Sequence, residues 1–258
     1  MIQTINFHIK ELDSMKKYPK ELSYVGDTNL LKKRKISIVG SRKPNQYTKQ
    51  YTHILAAELS KKDICIVSGA AMGVDAIAHT AATPLNTIAV SGTGLEIRYP
   101  AVNKKLIEQI ENKGLVLSQF KNTQTATKYT FPLRNELVVA LGDVLIVTQA
   151  DINSGTMRSV EYALKMEKPV YVIPHRLNDS DGTNDLLKRG LATCIYDINE
   201  FIENFVGYKN NIKHVDSFLE YCKSNPTYDE AMEKFPDKVF EYELLGKITI
   251  NNGLVIVV

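Results

Sequence analysis

One local pattern occurs four times in this chain: an apolar run that favours a β-strand, followed by a short turn rich in glycine and serine. The turns are Gly40-Ser41-Arg42 after Ile36–Val39, Ser68-Gly69 after Ile64–Val67, Ser91-Gly92-Thr93-Gly94 after Thr87–Val90, and Ser154-Gly155-Thr156 shortly after Val144–Val147. The carboxyl ends of parallel strands lie along one edge of a sheet, where ligands bind. Glycines allow close backbone approach, and the N–H groups at helix N-termini bind phosphate. We therefore predict that the four turns meet at one site for a phosphate-bearing ligand.

Strand-like and helix-like segments alternate from residue 35 to residue 206. The predicted strands are Lys35–Gly40, Ile64–Ser68, Thr87–Ser91, Leu115–Gln119, Asp143–Thr148, Pro169–Ile173 and Thr193–Tyr196. The predicted helices are Lys49–Lys61, Val74–Ala82, Lys104–Lys113, Arg134–Leu141, Met157–Met166 and Asp181–Arg189. The apolar runs are continuous rather than alternating, which is typical of parallel strands covered on both faces. The pattern predicts an α/β fold with a doubly wound, mostly parallel sheet.

The flanking segments differ from this core. Residues 1–33 are mixed and polar, and we expect a short lead-in that is helical from Glu21–Leu22 onward and precedes a main domain, 34–206. A polar linker, 207–212, then leads to a small module, 213–258. Its predicted elements are a helix around Val215–Cys222, a helix with Thr227 as N-cap and Glu230 at the capping-box position, a helix around Lys238–Leu245, and a hairpin through Asn251-Asn252-Gly253. This order predicts a winged-helix-like module.

Composition argues against a membrane protein or a disulfide-rich one. The 258 residues are 44% hydrophobic and 24% charged, and a net charge of +3 does not by itself identify a nucleic-acid partner. No apolar run is long enough to cross a bilayer. The three cysteines, Cys65, Cys194 and Cys222, are far apart and show no metal-ligand spacing. We expect a cytoplasmic protein without a metal site or a membrane partner, with Cys65 in its core.

The first turn carries two cations, Arg42 and Lys43. It lacks the further glycines of a GxGxxG dinucleotide site, and no GxxxxGK[ST] sequence for ATP occurs, so no cofactor is predicted. Arg42 can instead bind a phosphate through two parallel hydrogen bonds, with Lys43 as an added point charge. A pair of solvated loop charges is the alternative interpretation.

The second turn continues through Ser68 and Gly69 to Gly73 and Asp75 at a helix start. Gly69 and Gly73 allow close backbone approach, whereas Asp75 is expected to act as a structural cap. His79 follows one turn later without a partner acid or nucleophile, and we expect it to be structural.

The segment Lys128–Asn135 is the most informative one, because it places the cations Lys128 and Arg134 among aromatic residues just before a predicted helix. Cations contact phosphates, and the face of a ring such as Phe131 stacks on an unpaired base. Alternatively, Phe131 fills the core and Arg134 is a helix charge. A cation at a helix N-terminus is unfavourable, which favours a functional role.

The fourth turn, Asn153-Ser154-Gly155-Thr156, offers hydroxyls and backbone N–H groups at another helix start. No set of nucleophile, base and acid accompanies it, and no pair of catalytic carboxylates emerges along the chain. The sequence thus predicts a binding surface rather than a reaction centre.

Taken together, Gly40-Ser41-Arg42, the segment Ser68–Asp75, Phe131-Pro132-Leu133-Arg134-Asn135 and Ser154-Gly155-Thr156 resemble the DprA/Smf family of DNA-processing proteins in order and spacing. The resemblance covers about residues 30–205. It implies an extended Rossmann-like domain that binds single-stranded DNA in a basic pocket, forms a homodimer, protects incoming DNA in natural transformation and helps load the RecA recombinase. It also implies that Arg42, Lys128 and Phe131 contact DNA.

Two departures from the family pattern stand out. The family's FPxRN sequence continues with a second arginine, whereas Glu136 stands here, and we expect this to remove a positive charge near the pocket. The N-terminal helical domain of many members is absent or reduced to residues 1–33, which suggests a compact version of the family.

Two further functions and one surface remain open from the sequence. Asn153–Thr156 with Glu161 partly matches the Lonely-guy type of nucleotide phosphoribohydrolase, but that pattern requires an acid where Ser159 stands. The small module could read double-stranded DNA, although Glu241 and Glu243 in its last helix argue against this. Ile152, Met157 and Val160 are candidates for a dimer surface.

Overall fold

The computed structural model describes residues 1–207 and 217–257 of the chain. Its strands are β1 (Gln3–Thr4), β2 (Ser23–Gly26), β3 (Lys35–Val39), β4 (Cys65–Ser68), β5 (Thr87–Val90), β6 (Leu115–Ser118), β7 (Val144–Val147), β8 (Val170–Val172), β9 (Thr193–Cys194), β10 (Ile248–Asn251) and β11 (Leu254–Val257). The helices are α1 (Gln46–Lys61), α2 (Val74–Ala81), α3 (Lys104–Lys113), α4 (Thr130–Leu141), α5 (Gly155–Lys165), α6 (Asp181–Lys188), α7 (Ile198–Gly207), α8 (Ser217–Cys222), α9 (Tyr228–Lys234) and α10 (Pro236–Leu244).

β1 to β9 form one sheet in the order β1-β2-β6-β5-β4-β3-β7-β8-β9. β3 is its central strand, pairing in parallel with β4 on one side and β7 on the other. All pairs from β6 across to β9 are parallel, and only β1 and β2 pair antiparallel. The predicted doubly wound, mostly parallel sheet is confirmed. Because the order reverses between β3 and β7, the crevice beyond their carboxyl ends is the expected ligand site.

Helices cover the two faces of this sheet. Both α2 and α4 pack on β3, β4 and β5, so they lie on opposite faces; α1 packs beside α2, and α5 beside α4. The apolar side chains of the central strands are buried, and Cys65 is among them as predicted. Burial raises the pKa of the Cys65 thiol to about 12, which makes it an inert core residue.

The N-terminal segment differs from the prediction. The expected helix from Glu21–Leu22 onward is wrong, because Ser23–Gly26 is strand β2 and extends the sheet antiparallel to β6. This short strand has no apolar run of its own and takes its hydrogen bonds from the edge of an existing sheet. The buried Lys35 side chain also ties the segment down, donating from its Nζ to the carbonyl of Leu31 at 2.8 Å and to Glu11.

The chain divides into two compact units, Met1–Ile202 and Glu203–Val258. The boundary falls within α7, a helix that the sequence analysis did not predict. Residues 208–212 of the expected linker and 213–216 of the expected module lie outside the described residues. The proposed boundaries at 33, 206 and 212 stay predictions.

The second unit has its own core. Its buried residues are Phe218, Cys222, Ala231, Val239, Tyr242, Ile248 and Val255. The predicted capping box at Thr227 and Glu230 is confirmed, since each side chain accepts a hydrogen bond from the backbone of the other residue. β10 and β11 form the predicted antiparallel hairpin, with Asn251 opposite Leu254. The winged-helix assignment of this helix and hairpin order stays a prediction. Across the residues described in both units, no helix is long and apolar enough to cross a membrane.

Candidate nucleic-acid interface

A cavity of about 710 Å³ opens beyond the carboxyl ends of β3 and β7, where the strand order reverses. Its walls come from the first turn, the end of the second turn, the start of α4 and the fourth turn. The lining residues are Val39, Gly40, Ser41, Arg42, Lys43, Ala71, Asp75, Lys128, Phe131, Pro132, Arg134, Asn135, Asp151, Asn153, Ser154, Gly155, Thr156, Arg158 and Ser159. Three of the four predicted turns therefore converge on it, together with the segment Lys128–Asn135.

The charge of this cavity is predominantly positive. Five cationic side chains line it, against only two carboxylates, Asp75 and Asp151. Arg42, Lys43 and Lys128 are exposed, and we call these three residues the rim. Arg134 is only 5% exposed and Asp75 is also buried; with the buried His79 they form what we call the buried polar layer. The rim is the part of this charge that a ligand can reach.

The first turn holds two rim cations in a defined backbone conformation. Ser41 donates its N–H to the carbonyl of Gln149 at 2.9 Å, and its Oγ accepts the N–H of Lys43 at 3.1 Å. The Arg42 guanidinium lies 5.5 Å from the centroid of the Phe131 ring, within the range of a cation–π contact. The turn thus presents Arg42 beside an aromatic face, and both lie at the cavity wall.

The second turn supports the first from below. Gly73, the N-cap of α2, has φ +79°, and a Cβ there would meet the carbonyl oxygen of Ser41 at 2.4 Å. Val74 donates its N–H to the same oxygen at 3.1 Å. Ser68, predicted as a ligand contact, is buried and donates its hydroxyl to Ile38 instead. Gly73 and Ser68 therefore lie behind the main cavity rather than on its wall.

Asp75 caps the second turn, as predicted. Its Oδ2 accepts the N–H groups of Gly69 at 3.2 Å and Ala71 at 3.3 Å. Burial raises the pKa of the Asp75 carboxyl, while the charge of Arg134 and the two N–H donors act in the opposite direction. This side chain satisfies backbone donors at the base of the cavity.

Arg134 differs most from its predicted role as an exposed ligand contact. Its Nη1 donates to the carbonyls of Gly69 and Val90, the latter at 3.2 Å, and its Nε donates to Asn135 at 3.0 Å. Burial lowers the pKa of its guanidinium, and the Arg42 charge adds to this effect. A Cβ at Gly69 would collide with the guanidinium. Although it borders the cavity, Arg134 mainly holds together the ends of β4 and β5.

His79 is structural, as predicted. Its Nε2 accepts the N–H of Ala70 at 3.3 Å, and its Nδ1 lies 2.7 Å from the hydroxyl of Thr87. Burial, reinforced by the Arg134 charge, lowers the pKa of the imidazole to about 3. The ring is therefore neutral at physiological pH and has no open face toward the cavity.

The segment around Phe131 belongs to the helix rather than preceding it. α4 begins at Thr130, four residues before the predicted start at Arg134, and takes Pro132 into its first turn. Proline is tolerated there because the N–H groups of the first turn have no intrahelical partner. Phe131 is partly buried and Lys128 is exposed, and both line the cavity with Asn135.

The fourth turn places the N-terminus of α5 at the cavity wall. Ser154 is the N-cap, and its hydroxyl, although buried, has no hydrogen-bond partner among the described residues. A Cβ at Gly155 would project into open space, so packing does not require a glycine there. The backbone N–H groups of this first turn carry the positive end of the helix dipole. The cavity therefore has a second anion-binding feature opposite the rim.

The third turn and the cation Lys49 lie outside the main cavity. Gly92 borders an adjacent recess that shares Arg42, Phe131 and Arg134 with the cavity. A wider groove of about 530 Å³ on the other side of the first turn is lined by Arg42, Lys43, Lys49 and Gly73 among others. The prediction that all four turns border one site is thus wrong for the third.

The Glu136 departure does not alter the cavity. Its side chain is buried, does not line the cavity and accepts the N–H of Lys16 at 3.0 Å through Oε1. The expectation that it removes a charge near the pocket is wrong, because this position of α4 faces the N-terminal segment. Sequence reasoning placed it by proximity to Arg134, whereas a helix turns successive side chains apart.

The features of the two remaining alternatives separate in space. Ser159 borders the cavity where a phosphoribohydrolase needs an acid, while Glu161 is exposed and pairs with Arg158 at 2.9 Å. Of the predicted dimer surface, Val160 is a core residue and only Ile152 is clearly exposed. No cluster of potential metal ligands occurs within residues 1–207 and 217–257.

The fold and this cavity define a class: doubly wound α/β proteins with a cationic cleft, flanked by an aromatic ring, where the strand order reverses. Within this class, the chain belongs to the DNA recombination-mediator protein A family, whose model matches residues 6–206.

Relatives and solved structures agree with this assignment. The DNA processing protein DprA of Streptococcus pneumoniae is 37% identical over 176 residues, which are 67% of this chain and 62% of that protein. The Bacillus subtilis protein of the same name is 32% identical over 205 residues, 78% of this chain and 68% of that protein. This chain therefore spans less than two thirds of the S. pneumoniae relative. A Helicobacter pylori DNA processing protein A structure, described for its single-stranded DNA binding mode, matches with a TM-score of 0.78 at 45% identity, covering 80% of this chain and 96% of that one.

Proposed function

We propose that this chain binds single-stranded DNA in the main cavity and takes part in DNA processing without catalysing a reaction. The phosphates lie on the rim cations and on the N–H groups at the start of α5, and Phe131 stacks on a base. The observation that carries the proposal is the coincidence of exposed cations and a partly exposed ring at the strand-order reversal. The H. pylori structure, described for single-stranded DNA binding, supports it from outside the chain.

The geometry favours a flexible strand over a small nucleotide. The cavity continues past the first turn into the groove beside Lys49, so cationic surface extends on both sides of Arg42 and Lys43. A single nucleotide would occupy only one of these spaces. A strand can lie across both, and stacking on a ring requires an unpaired base.

The test is a fluorescence-anisotropy titration with labelled oligo-dT at two salt concentrations. We expect Arg42→Ala and Lys128→Ala each to weaken binding about tenfold or more, because a hydrogen bond to a charged group contributes about 1.5–3 kcal/mol. Each should also reduce the salt dependence by about 0.7 in slope. Lys61→Ala, at the end of α1 remote from the turns, removes the same charge and serves as the control.

Unchanged affinity in both rim variants would refute the proposed site. A duplex competitor in the same titration tests the preference for single strands. Equal competition by duplex would refute the stacking role of Phe131, since paired bases do not offer a free face. Release of a base from a nucleoside monophosphate would refute the non-enzymatic proposal.

The description of the family as a recombination mediator supports a further role, the loading of RecA recombinase on the bound strand. Such loading should relieve the block that a single-strand-binding protein imposes on RecA filaments, measured as RecA ATPase activity. The rim variant Arg42→Ala should lose this effect together with DNA binding. Loading that survives the loss of binding would contradict the mechanism.

Protection of incoming DNA and homodimer formation complete the proposal. Bound oligonucleotide should resist a single-strand nuclease in proportion to occupancy of the cavity. Light scattering at increasing protein concentration tests the dimer, with Ile152→Glu as the surface variant because Ile152 is 55% exposed. A monomer at all concentrations would refute the dimer.

A further inference from the structure

Next to the main cavity lies a recess that the proposed phosphate contacts do not use. It is lined by the rings of Tyr99 and Phe131, by Met72 and Pro100, and by backbone at Gly69 and Gly92. Tyr99 and Met72 are 44% and 45% exposed. Single exposed apolar side chains are common on protein surfaces and need no explanation. Here two of them flank one recess that shares Arg42 and Phe131 with a cationic cavity.

The two rings are arranged to leave an accessible aromatic surface. Their centroids are 5.9 Å apart at an interplanar angle of 43°, so they meet at a tilt rather than covering each other. A Cβ at Gly92 would lie 3.1 Å from two carbons of the Phe131 ring, so the absence of a side chain there lets the ring rest on the third turn. The third turn thus acts by seating Phe131.

We propose that this recess is a nucleobase subsite, in which a base of the strand stacks on Tyr99 and Phe131 while its phosphates occupy the adjacent cavity. The inference rests on the proposed function and adds Tyr99 and Met72 to the contacts. The shared Arg42 fixes the arrangement: its guanidinium lies over Phe131 and also faces the cavity, so one side chain joins the two compartments.

The size of the recess determines what it reads. Its volume of about 30 Å³ is close to the share of one water molecule in the liquid. A base therefore lies across the opening and stacks through its face, without burying the edge that carries sequence information. We expect the subsite to accept purines and pyrimidines alike.

The test compares oligo-dT with an abasic oligonucleotide of equal length, using the full chain. Tyr99→Ala should weaken oligo-dT binding about fivefold or more and leave abasic binding unchanged, whereas Tyr99→Phe should retain wild-type behaviour. Tyr196→Ala, an exposed tyrosine outside the recess, is the matched control. Thermal unfolding of each variant verifies that it folds.

A second readout avoids any loss of packing. The chain contains no tryptophan, so Tyr99→Trp places a single fluorophore in the recess. Oligo-dT should quench it and the abasic strand should not, while Tyr196→Trp should respond to neither. An equal loss of oligo-dT and abasic affinity in Tyr99→Ala, or no quenching, would overturn the subsite. Oligo-dT binding that ignores Arg42→Ala and Lys128→Ala would instead overturn the proposed function, so the two failures are distinguishable.

Discussion

The rim of the main cavity and the buried polar layer beneath it are built from similar residues in opposite environments. Arg42 on the rim is exposed and lies over a ring, while Arg134 in the layer is buried and donates to two backbone carbonyls. Both residues stand in motifs that the sequence assigns to the ligand. The comparison teaches that a motif cation can support the fold beneath a site as readily as it can contact a ligand, and that solvent exposure separates the two roles.

The largest expected effect comes from removing the buried cation. Arg134→Met leaves the Asp75 carboxyl buried without its neighbouring charge and frees the carbonyls of Gly69 and Val90. Removing one partner of a buried charged group costs about 3–5 kcal/mol, so we expect a large drop in the urea midpoint. Arg42→Ala should leave that midpoint unchanged. An Arg134→Met protein of normal stability that fails to bind DNA would place Arg134 on the rim side of the comparison.

Two glycines offer the same comparison at the backbone. Gly73→Ala forces a side chain into the left-handed region against the Ser41 carbonyl, and we expect it to cost about 1–3 kcal/mol of stability. Gly155→Ala meets open space and should change stability by less than about 0.5 kcal/mol. It should nevertheless weaken oligo-dT binding, because the methyl group enters the space before α5 where we propose a phosphate. Equal stability of the two variants would break the distinction.

The buried layer also predicts a dependence of stability on pH. The pKa of His79 is lowered to about 3, so between that value and its unfolded value the unfolded chain binds the proton more strongly. Stability from this group is therefore complete above about pH 6.5 and is lost as the pH falls, by about 1 kcal/mol between pH 7 and 5.5.

The His79→Gln variant isolates this contribution. Asp75, whose pKa is raised by burial, gives the opposite slope, since its folded form takes up a proton more readily. Because Asp75 is present in both proteins, the difference between the wild-type and His79→Gln unfolding curves from pH 5.5 to 7 reports on His79. Parallel curves would show that the imidazole is not buried in the neutral form.

The sequence predicted the sheet well and the divided roles of the site poorly, for a physical reason. Continuous apolar runs such as Val144–Val147 mark buried parallel strands without any knowledge of their neighbours. The strand Ser23–Gly26 has no such run, because its hydrogen bonds come from β6. Burial of Arg134 likewise depends on the ends of β4 and β5, which lie 65 and 44 residues away in the chain. Such long-range environments leave no local signal.

The smallest expected effect concerns Glu136, the clearest departure from the family pattern. Glu136→Gln keeps the acceptor for the Lys16 N–H and should change stability by about 1 kcal/mol or less. Glu136→Arg restores the family's second arginine, yet we expect oligo-dT affinity to rise by no more than about twofold, because exposed charges away from the contact are screened by salt. Anisotropy titrations of both variants, beside Arg42→Ala, measure this. A tenfold gain in Glu136→Arg would mean that bound DNA extends past the rim to this side of α4, and that the two regions share one ligand surface.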